Sequence, residues 1–220
     1  MLDLTLIIPA KKEAEALPKV LEELTKLDCK ITVSLQKDDL ETINAIKSFN
    51  VNIYEQVING YGSSLIEAIT KCETKYFCIF NADGSFEMEE IKKMYESIEK
   101  FDFIFGSRYL KDSSSDDDTF LTLVGNYFFT KLARILYGLE LTDILYTFIM
   151  GNVSSFKKIN LINSDFRFCV ELPIKMHKLN MKYKTISSIE KKRIAGKKKV
   201  NEFKDGSLIL LEILRNLFQR

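Results

Sequence analysis

The chain has few of the residues that mark several common classes of protein. It has only four cysteines, and their scattered positions exclude a disulfide framework and a zinc-binding pattern: Cys29, Cys72, Cys78 and Cys169. Its single histidine lies between lysines in a helical stretch, which favours a surface residue over a catalyst. We therefore expect a reducing, cytosolic compartment.

Excess charge and long apolar runs are also lacking. With 32 Lys and Arg against 31 Asp and Glu, the net charge of +1 gives no reason to expect nucleic-acid binding. No apolar run approaches the roughly 20 residues that a membrane-spanning helix needs. No basic region leads into a longer apolar core, as it does in a secretory signal. These absences predict a cytoplasmic protein without a nucleic-acid partner.

The 220 residues, 46% of them hydrophobic, are enough for one substantial core, and we expect a single domain over 1–220. Short β-branched or aromatic runs alternate with helical periodicity, which predicts a parallel sheet in a layered α/β sandwich. The strands are expected at 4–8, 30–35, 51–56, 76–80 and 101–105. The helices are expected at 13–27, 39–48, 63–72, 87–100, 121–137 and 208–218. The polar segment 111–118 is expected to be a mobile loop.

Three polar turns follow predicted strands, at 9–13, 59–64 and 81–85. Ligands of open α/β sheets bind beyond the carboxyl ends of the strands, so these turns are expected to share one edge. Asn81 and Asp83 flank a single small residue and can reach one hard cation, Mg²⁺ or Mn²⁺. The alternative for this tetrapeptide, taken alone, is a simple strand-ending turn.

Five segments in the same order resemble the family 2 glycosyltransferases of GT-A fold, especially the dolichyl-phosphate mannosyltransferase-like branch. Their sequences are IIPAKKEAE at 7–15, NGYGSSL at 59–65, NADGS at 81–85, GSRY at 106–109 and RIAG at 193–196. The resemblance implies a Rossmann-like α/β/α sandwich with a mostly parallel central sheet. It also implies a nucleotide-sugar-binding half at 1–110 and an acceptor-side half at 119–200, before a C-terminal amphipathic helix at 201–220.

The implied activity is that of a hexosyltransferase in envelope-glycan assembly. It would move a sugar from a nucleotide-diphosphate sugar to a polyprenyl phosphate or to a glycan or lipid hydroxyl, with inversion and with Mg²⁺ or Mn²⁺ as cofactor. The alternative is a non-catalytic nucleotide-sugar-binding or interaction protein with a degenerate site. A sugar-phosphate nucleotidyltransferase is a weaker rival, because the turn at 9–13 has no glycine.

The resemblance assigns roles position by position. Asp83, helped by Asn81, holds the metal and takes part in catalysis. The nucleotide-sugar-binding residues are Pro9, Ala10, Glu13, Gly60, Gly62, Ala82, Arg193 and Lys199. The two glycines let backbone approach either the ligand or the next helix, and ordinary packing is an equal alternative.

Two further residues are candidates for the chemistry. Arg108 can contact a donor or acceptor phosphate, and a surface salt bridge is the alternative. Asp143 is the candidate general base for a hydroxyl acceptor, whereas a lipid phosphate would need no base. A helix cap is the alternative for Asp143.

The C-terminal third adds two surfaces. Six cations between 191 and 199 form either a basic flap over phosphate groups or a solvated loop. The helix at 208–218 is expected to pack onto the core or onto a second copy, with contact to a membrane surface as the alternative.

The sequence departs from the family at the base-binding turns. Lys11 and Lys12 replace the usual tyrosine and asparagine, and the paired aspartates after the second strand are absent, although Asp38 or Asp39 can substitute after a shift. Asn81 replaces the first aspartate of the metal motif. These departures leave the identity of the nucleotide open.

Overall fold

The structure, a computed structural model, describes residues 1–196 and 199–218. Its strands are β1 Leu4–Pro9, β2 Lys30–Leu35, β3 Asn52–Glu55, β4 Tyr76–Ile79, β5 Phe103–Ser107, β6 Ser114–Ser115, β7 Ile149–Asn152, β8 Tyr183–Ser187 and β9 Ile189–Glu190. Its α-helices are α1 Leu17–Leu24, α2 Leu40–Ile46, α3 Tyr61–Thr70, α4 Met88–Ser97, α5 Phe120–Tyr137, α6 Val153–Phe156, α7 Phe168–Lys178 and α8 Glu202–Arg215. A 3₁₀ turn, Ile98–Lys100, extends α4.

Seven strands form the central sheet in the order β3-β2-β1-β4-β7-β5-β8. β1 lies in the middle of the parallel part, where Ile7 is in register with Thr32 of β2 and Ile79 of β4. Only β7 runs antiparallel, between β4 and β5. The predicted α/β fold with a mostly parallel central sheet is therefore confirmed.

The core lies on both faces of this sheet. Leu4, Leu6 and Ile8 of β1 belong to a cluster with the apolar sides of α1 and α4, whereas Ile7 belongs to a cluster with α3 and α7. Because successive strand residues point to opposite faces, one buried strand contributes to both layers. The result is a three-layered α/β/α sandwich.

Two predicted helix starts differ from the structure. The first helix begins at Leu17, four residues later than expected, with Pro18 in its first turn, where a proline is preferred. The last helix begins at Glu202, inside the C-terminal helical region expected at 201–220 but six residues before the apolar stretch expected at 208–218. The side chain of Asn201 accepts a hydrogen bond from Lys204 N (3.0 Å) and caps this start.

The segment 111–118, predicted to be a mobile loop, is anchored instead. Its strand β6 pairs in parallel with β9. Asp118 forms an ion pair with Arg108 (3.1 Å), and Asp117 forms one with Arg193. The prediction was wrong about this segment because β9 and Arg193, which hold it, are distant in sequence.

The C-terminal helix packs against the rest of the molecule. Ile209 and Ile213 of α8 are buried in the same apolar cluster as Ala133 of α5 and Ile174 of α7. In the described part of the chain, no helix is both long and apolar enough to cross a membrane.

Candidate active site

A cavity of about 540 Å³ lies at the carboxyl ends of the parallel strands. The turns after β1 to β4 line it with Pro9, Ala10, Lys11, Glu13, Gln36, Gln56, Asn81, Ala82 and Asp83. Gly60, Arg108, Arg193 and Lys199 also line it. The structure therefore brings the predicted site residues together, apart from Gly62 and Asp143, which lie outside the lining.

The turn after β4 holds its two polar side chains through Ser85. Asp83 Oδ1 accepts a hydrogen bond from Ser85 N (3.1 Å), and Asn81 Nδ2 donates to Ser85 Oγ (3.3 Å). The oxygen of the Asn81 amide is therefore the atom that remains for a cation. Ala82 is buried between them, so both side chains stay at the cavity wall.

Backbone hydrogen bonds bring Arg193 to this turn. Lys191 N donates to Ser85 O (2.8 Å), and Ile194 N donates to Asp83 O (2.8 Å). Gly84, with φ of 78°, permits the contact, because a Cβ there would come within 2.5 Å of Ile194 Cδ1. Arg193 Nη1 consequently lies 3.8 Å from Asp83 Oδ2.

Arg193 and Lys199, the two residues of the predicted flap expected to bind the donor, each have an acidic partner. Arg193 Nε donates to Asp117 Oδ1 (3.2 Å), and Lys199 Nζ lies 2.9 Å from Glu13 Oε1. Burial raises the pKa of Glu13, and the contact with Lys199 opposes that shift. Lys197 and Lys198, also part of the predicted flap, lie outside the described residues.

Arg108 is buried among three carboxylates rather than at a surface. Its Nε and Nη2 donate to the two oxygens of Asp143 (2.7 and 3.0 Å). Its Nη1 donates to Asp118 (3.1 Å) and Glu190 (3.0 Å). Burial alone would lower the pKa of Arg108, but the adjacent carboxylates raise it well above its ordinary value. The guanidinium therefore stays charged and joins β5 to the 111–118 segment.

Asp143 is enclosed by hydrogen-bond donors. Besides the guanidinium, the backbone N of Arg108 donates to it (3.1 Å), and so does Asn126 Nδ2 (2.6 Å). These four hydrogen bonds engage both oxygens of the Asp143 carboxylate. Its role as a general base stays a prediction, while its contacts are those of a residue that positions Arg108.

The two glycines at the start of α3 meet the backbone of another loop. A Cβ on Gly60 would lie 2.1 Å from Ser164 O, and a Cβ on Gly62 would lie 2.2 Å from Asn163 O. Of the two explanations left open by the sequence, close packing therefore has direct support. Gly60 also borders the cavity.

Asp39, one of the two residues expected to replace the missing aspartates, is used elsewhere. The Asp39 side chain caps α2 by accepting from Thr42 N (3.4 Å), and it also accepts from Lys12 N (2.6 Å). Among the described residues, neither Asp38 nor Asp39 lines the cavity. Gln36 and Gln56 line the cavity instead, and their positions at strand ends were the only sign of this in the sequence.

Other lining residues were missed, among them Tyr61 of the nucleotide-sugar-binding half and Asp165 of the acceptor-side half. Tyr61 stacks on Phe166 with ring centroids 4.9 Å apart, and its hydroxyl donates to Thr147 Oγ1 (2.7 Å). Asp165 also lines the cavity and is bound by Arg167. No motif predicted the contacts of Tyr61 with Phe166 and Thr147, which depend on the pairing of distant segments.

The protein alone offers few metal ligands. Within residues 1–196 and 199–218, no group of three or more His, Cys, Asp or Glu side chains could hold a metal ion. Asp83 supplies one carboxylate and Asn81 one amide oxygen. That donor set suits Mg²⁺ or Mn²⁺ when phosphates and waters complete the coordination, because such ions often take only one or two protein carboxylates.

Two comparisons with known proteins gave matches. The sequence matches the family described as Glycosyl transferase family 2 over residues 5–160. No curated protein sequence matches it. Glucosyl-3-phosphoglycerate synthase from Mycobacterium tuberculosis, in complex with Mn²⁺, UDP and phosphoglyceric acid, superposes with a TM-score of 0.74 at 10% sequence identity, over 98% of this chain and 78% of that one. Mannosyl-3-phosphoglycerate synthase from Rubrobacter xylanophilus gives 0.73 at 11% identity, over 98% and 73%.

These likenesses agree with the predicted GT-A fold. The more specific mannosyltransferase-like branch stays a prediction. Since the family match covers more than half of the residues, this chain belongs to glycosyl transferase family 2.

Proposed function

We propose that the protein transfers a sugar from a nucleotide-diphosphate sugar to an acceptor with inversion, using a divalent cation. The observation that carries this proposal is the meeting of Asp83, Arg193 and Lys199 in one cavity at the carboxyl ends of the strands. Acidic and basic groups there can together hold a metal-bound diphosphate.

The donor diphosphate would replace the carboxylate partners of Arg193 and Lys199. Asp117 and Glu13 hold Arg193 and Lys199 in place at the wall of the cavity. A phosphate oxygen can replace either carboxylate, since a guanidinium or ammonium pairs with both kinds of anion. The same cations would then stabilise the charge on the departing diphosphate.

Asp83 and Asn81 would hold the divalent cation together with the donor phosphates. The Mycobacterium tuberculosis structures contain Mn²⁺ with UDP or UDP-glucose, which supports the same class of cofactor here. The ion would neutralise negative charge on the leaving group. Mg²⁺ and Mn²⁺ both suit these oxygen ligands.

Gln36 and Gln56 would contact the nucleotide base. Gln36 follows β2 and Gln56 follows β3, the two strands on one side of β1. Gln56 Oε1 is buried without a hydrogen-bond partner among the described residues. A buried acceptor of this kind is costly unless a donor reaches it, and a base N–H is a suitable donor. UDP sugars are the first donors to test, because UDP occupies the Mycobacterium tuberculosis relative.

Asp143 and Asp165 are each engaged by an arginine, which favours an acceptor that is already anionic over one that needs a general base. Asp143 is bound by Arg108, and Asp165 is bound by Arg167. Hydrogen bonds from Arg167 outweigh the effect of burial and lower the pKa of Asp165, which makes it a weaker base. A phosphate oxygen needs no base to attack the anomeric carbon, so we propose a phosphate acceptor, such as a polyprenyl phosphate, over a hydroxyl.

A thermal-shift panel of UDP, GDP, CDP and dTDP sugars, with and without Mn²⁺, tests the donor site. We expect one donor to raise the melting temperature only with Mn²⁺. Asp83→Ala should abolish this rise, and Gln56→Leu should weaken it. Asp28→Ala, a change at an exposed residue outside the cavity lining, is the matched control.

Product assays separate transfer from binding. Release of the nucleoside diphosphate that depends on an added phosphate acceptor would support the reaction. Stabilisation by a donor without hydrolysis or transfer to any acceptor would favour the non-catalytic alternative. If no donor stabilises the wild-type protein, the proposed nucleotide-sugar site is wrong.

A further inference from the structure

Two neighbouring helices expose an unusual number of large apolar side chains. On α5 these are Phe120, Leu121, Leu123, Val124, Tyr127, Phe128 and Ile135. On α8 and directly after it they are Phe203, Leu211, Leu214, Leu217 and Phe218. We call these residues together the α5–α8 face. Single exposed apolar residues are normal on soluble proteins, but a cluster of this size marks a binding surface.

The two helices run side by side in the same direction. Thr119 Oγ1 donates to Glu202 Oε1 (3.5 Å) where both begin, and the Tyr137 hydroxyl donates to Ile213 O near their other ends. The buried residues Ala133, Ile209 and Ile213 attach the inner sides to the core. The exposed apolar residues therefore lie on the outer sides of a pair of aligned helices.

Beyond the first turn of α8, which contains Glu202, Lys204 and Asp205, the exposed charged residues of the two helices are all cationic. Residues 120–138 contain no Asp or Glu, and α5 exposes Lys131 and Arg134. After Asp205, Glu212 is the sole acid up to Phe218. Its side chain is buried and bound by Asn216 Nδ2 (2.8 Å). Beyond its first turns, the α5–α8 face is therefore apolar and cationic, a composition that suits an anionic membrane surface.

A second copy of the chain fits this composition less well. A two-fold interface places the same patch on both subunits, so an interface centred on the cationic part of the face would bring like charges together. No exposed acid beyond the first turns of these helices could pair with them. Charge complementarity therefore favours anionic lipid over a second copy.

The face adjoins the mouth of the cavity. Val200, Asn201 and Lys204 line the cavity, and the exposed Phe203 lies among them in sequence. At the start of α5, Phe120 comes two residues after Asp118, which binds Arg108. A membrane in contact with this face would therefore lie beside the catalytic cavity.

We propose that the α5–α8 face docks the protein on a membrane containing anionic phospholipid and sets the cavity mouth at the lipid surface. This inference rests on the proposed function in one respect only, that the acceptor phosphate is carried by a lipid. Docking itself needs neither donor nor transfer. The two proposals can therefore fail separately.

Sedimentation with vesicles tests the docking. The wild-type protein should bind vesicles of phosphatidylglycerol mixed with phosphatidylcholine. The triple variant Phe120→Ser, Phe203→Ser, Leu211→Ser changes side chains that are 82%, 79% and 62% exposed. We expect its vesicle partition coefficient to fall by about tenfold or more, because apolar burial drives the binding of interfacial helices.

Matched controls separate the face from general effects. The triple variant Val57→Ser, Leu2→Ser, Leu40→Ser changes residues that are 82%, 76% and 62% exposed elsewhere on the molecule, and it should bind like wild type. Lys131→Glu with Arg134→Glu should weaken binding to phosphatidylglycerol vesicles. Lys19→Glu with Lys37→Glu carries the same change of charge on other surfaces and should not.

Three outcomes would overturn the docking proposal. One is the absence of wild-type binding to the vesicles. Another is an equal loss of binding in the two serine variants. The third is a wild-type dimer in solution that the Phe120, Phe203, Leu211 variant converts to a monomer, since a second copy would then cover the face. Melting temperature and donor binding without vesicles should be the same in wild type and this variant, which shows that the fold and the donor site are intact.

Discussion

Arg108 shows how a sequence motif can be right about position and incomplete about environment. The GSRY segment placed it at the end of a strand beside the cavity, as the structure does. Its three carboxylate partners come from 118, 143 and 190, and no local pattern could reveal them. Side chains fixed by their own strand ends were predictable, and those fixed by distant segments were not.

Replacing Arg108 should be costly to stability. Arg108→Met leaves Asp143 buried without its charged partner, and such a loss costs about 3–5 kcal/mol. Urea unfolding at neutral pH measures it. Arg167→Met is the control, because the half-exposed pair of Arg167 with Asp165 should contribute no more than about 1 kcal/mol. Equal losses in the two variants would contradict this account.

Glu13 should make the stability depend on pH. Burial raises its pKa above the ordinary value of 4.5, so the folded state binds the proton more tightly than the unfolded state does. This contribution to stability is fully present below pH 4.5 and is lost as the pH rises through the raised pKa. Glutamine cannot ionise, so Glu13→Gln should gain stability relative to wild type as the pH rises towards neutrality.

Thermal unfolding of the ligand-free protein across this pH range checks the prediction for Glu13. Glu22→Gln, a change at an exposed residue of α1, is the control. A Glu13→Gln variant that loses stability relative to wild type with rising pH would show that the contact with Lys199 outweighs the burial.

At the scale of helices and strands, the sequence pattern predicted which segments are helices or strands, but not the residues at which they begin and end. Alternating strands and helices predicted the order of elements from β1 to β5, because buried strands and amphipathic helices have different periods. The ends moved where one residue decided them, as Pro18 does for α1 and Asn201 for α8. The anchoring of 111–118 was missed, because its partner strand β9 lies some seventy residues further along the chain.

The start of α3 should tolerate no side chain at Gly62. A Cβ there lies 2.2 Å from Asn163 O and 2.8 Å from Asp165 O, so Gly62→Ala must push two backbone segments apart. We expect a loss of about 1–3 kcal/mol, typical of overpacking. Gly125→Ala is the matched control, because nothing lies within 4 Å of a Cβ at that position of α5.

The control should change stability in the opposite direction. Alanine inside a helix is more stable than glycine by about 0.5–1 kcal/mol, so Gly125→Ala should stabilise the protein. Denaturant unfolding of both variants measures the difference. If Gly62→Ala unfolds like wild type, the close approach of α3 to residues 163–165 is not rigid.

At the scale of the molecule, metal and nucleotide should bind as a unit. Since the described residues lack a group of three metal-binding side chains, a chelator should leave the melting temperature of the ligand-free protein unchanged. Nucleoside diphosphate with Mn²⁺ should stabilise it by about 2.7 kcal/mol at a hundred times the dissociation constant. Calorimetric titration with Mn²⁺ alone should give no binding, and tight binding of Mn²⁺ alone would contradict the proposed shared site.

The antiparallel strand β7 has a consequence for how the chain is made. β5 is complete at Ser107, but its partners β7 and β8 end at Asn152 and Ser187. During synthesis β4 and β5 therefore leave the ribosome with open edges that attract other chains. We expect a fragment ending near residue 110 to aggregate, and the nascent chain to need protection by chaperones until β7 has emerged to join the two halves of the sheet.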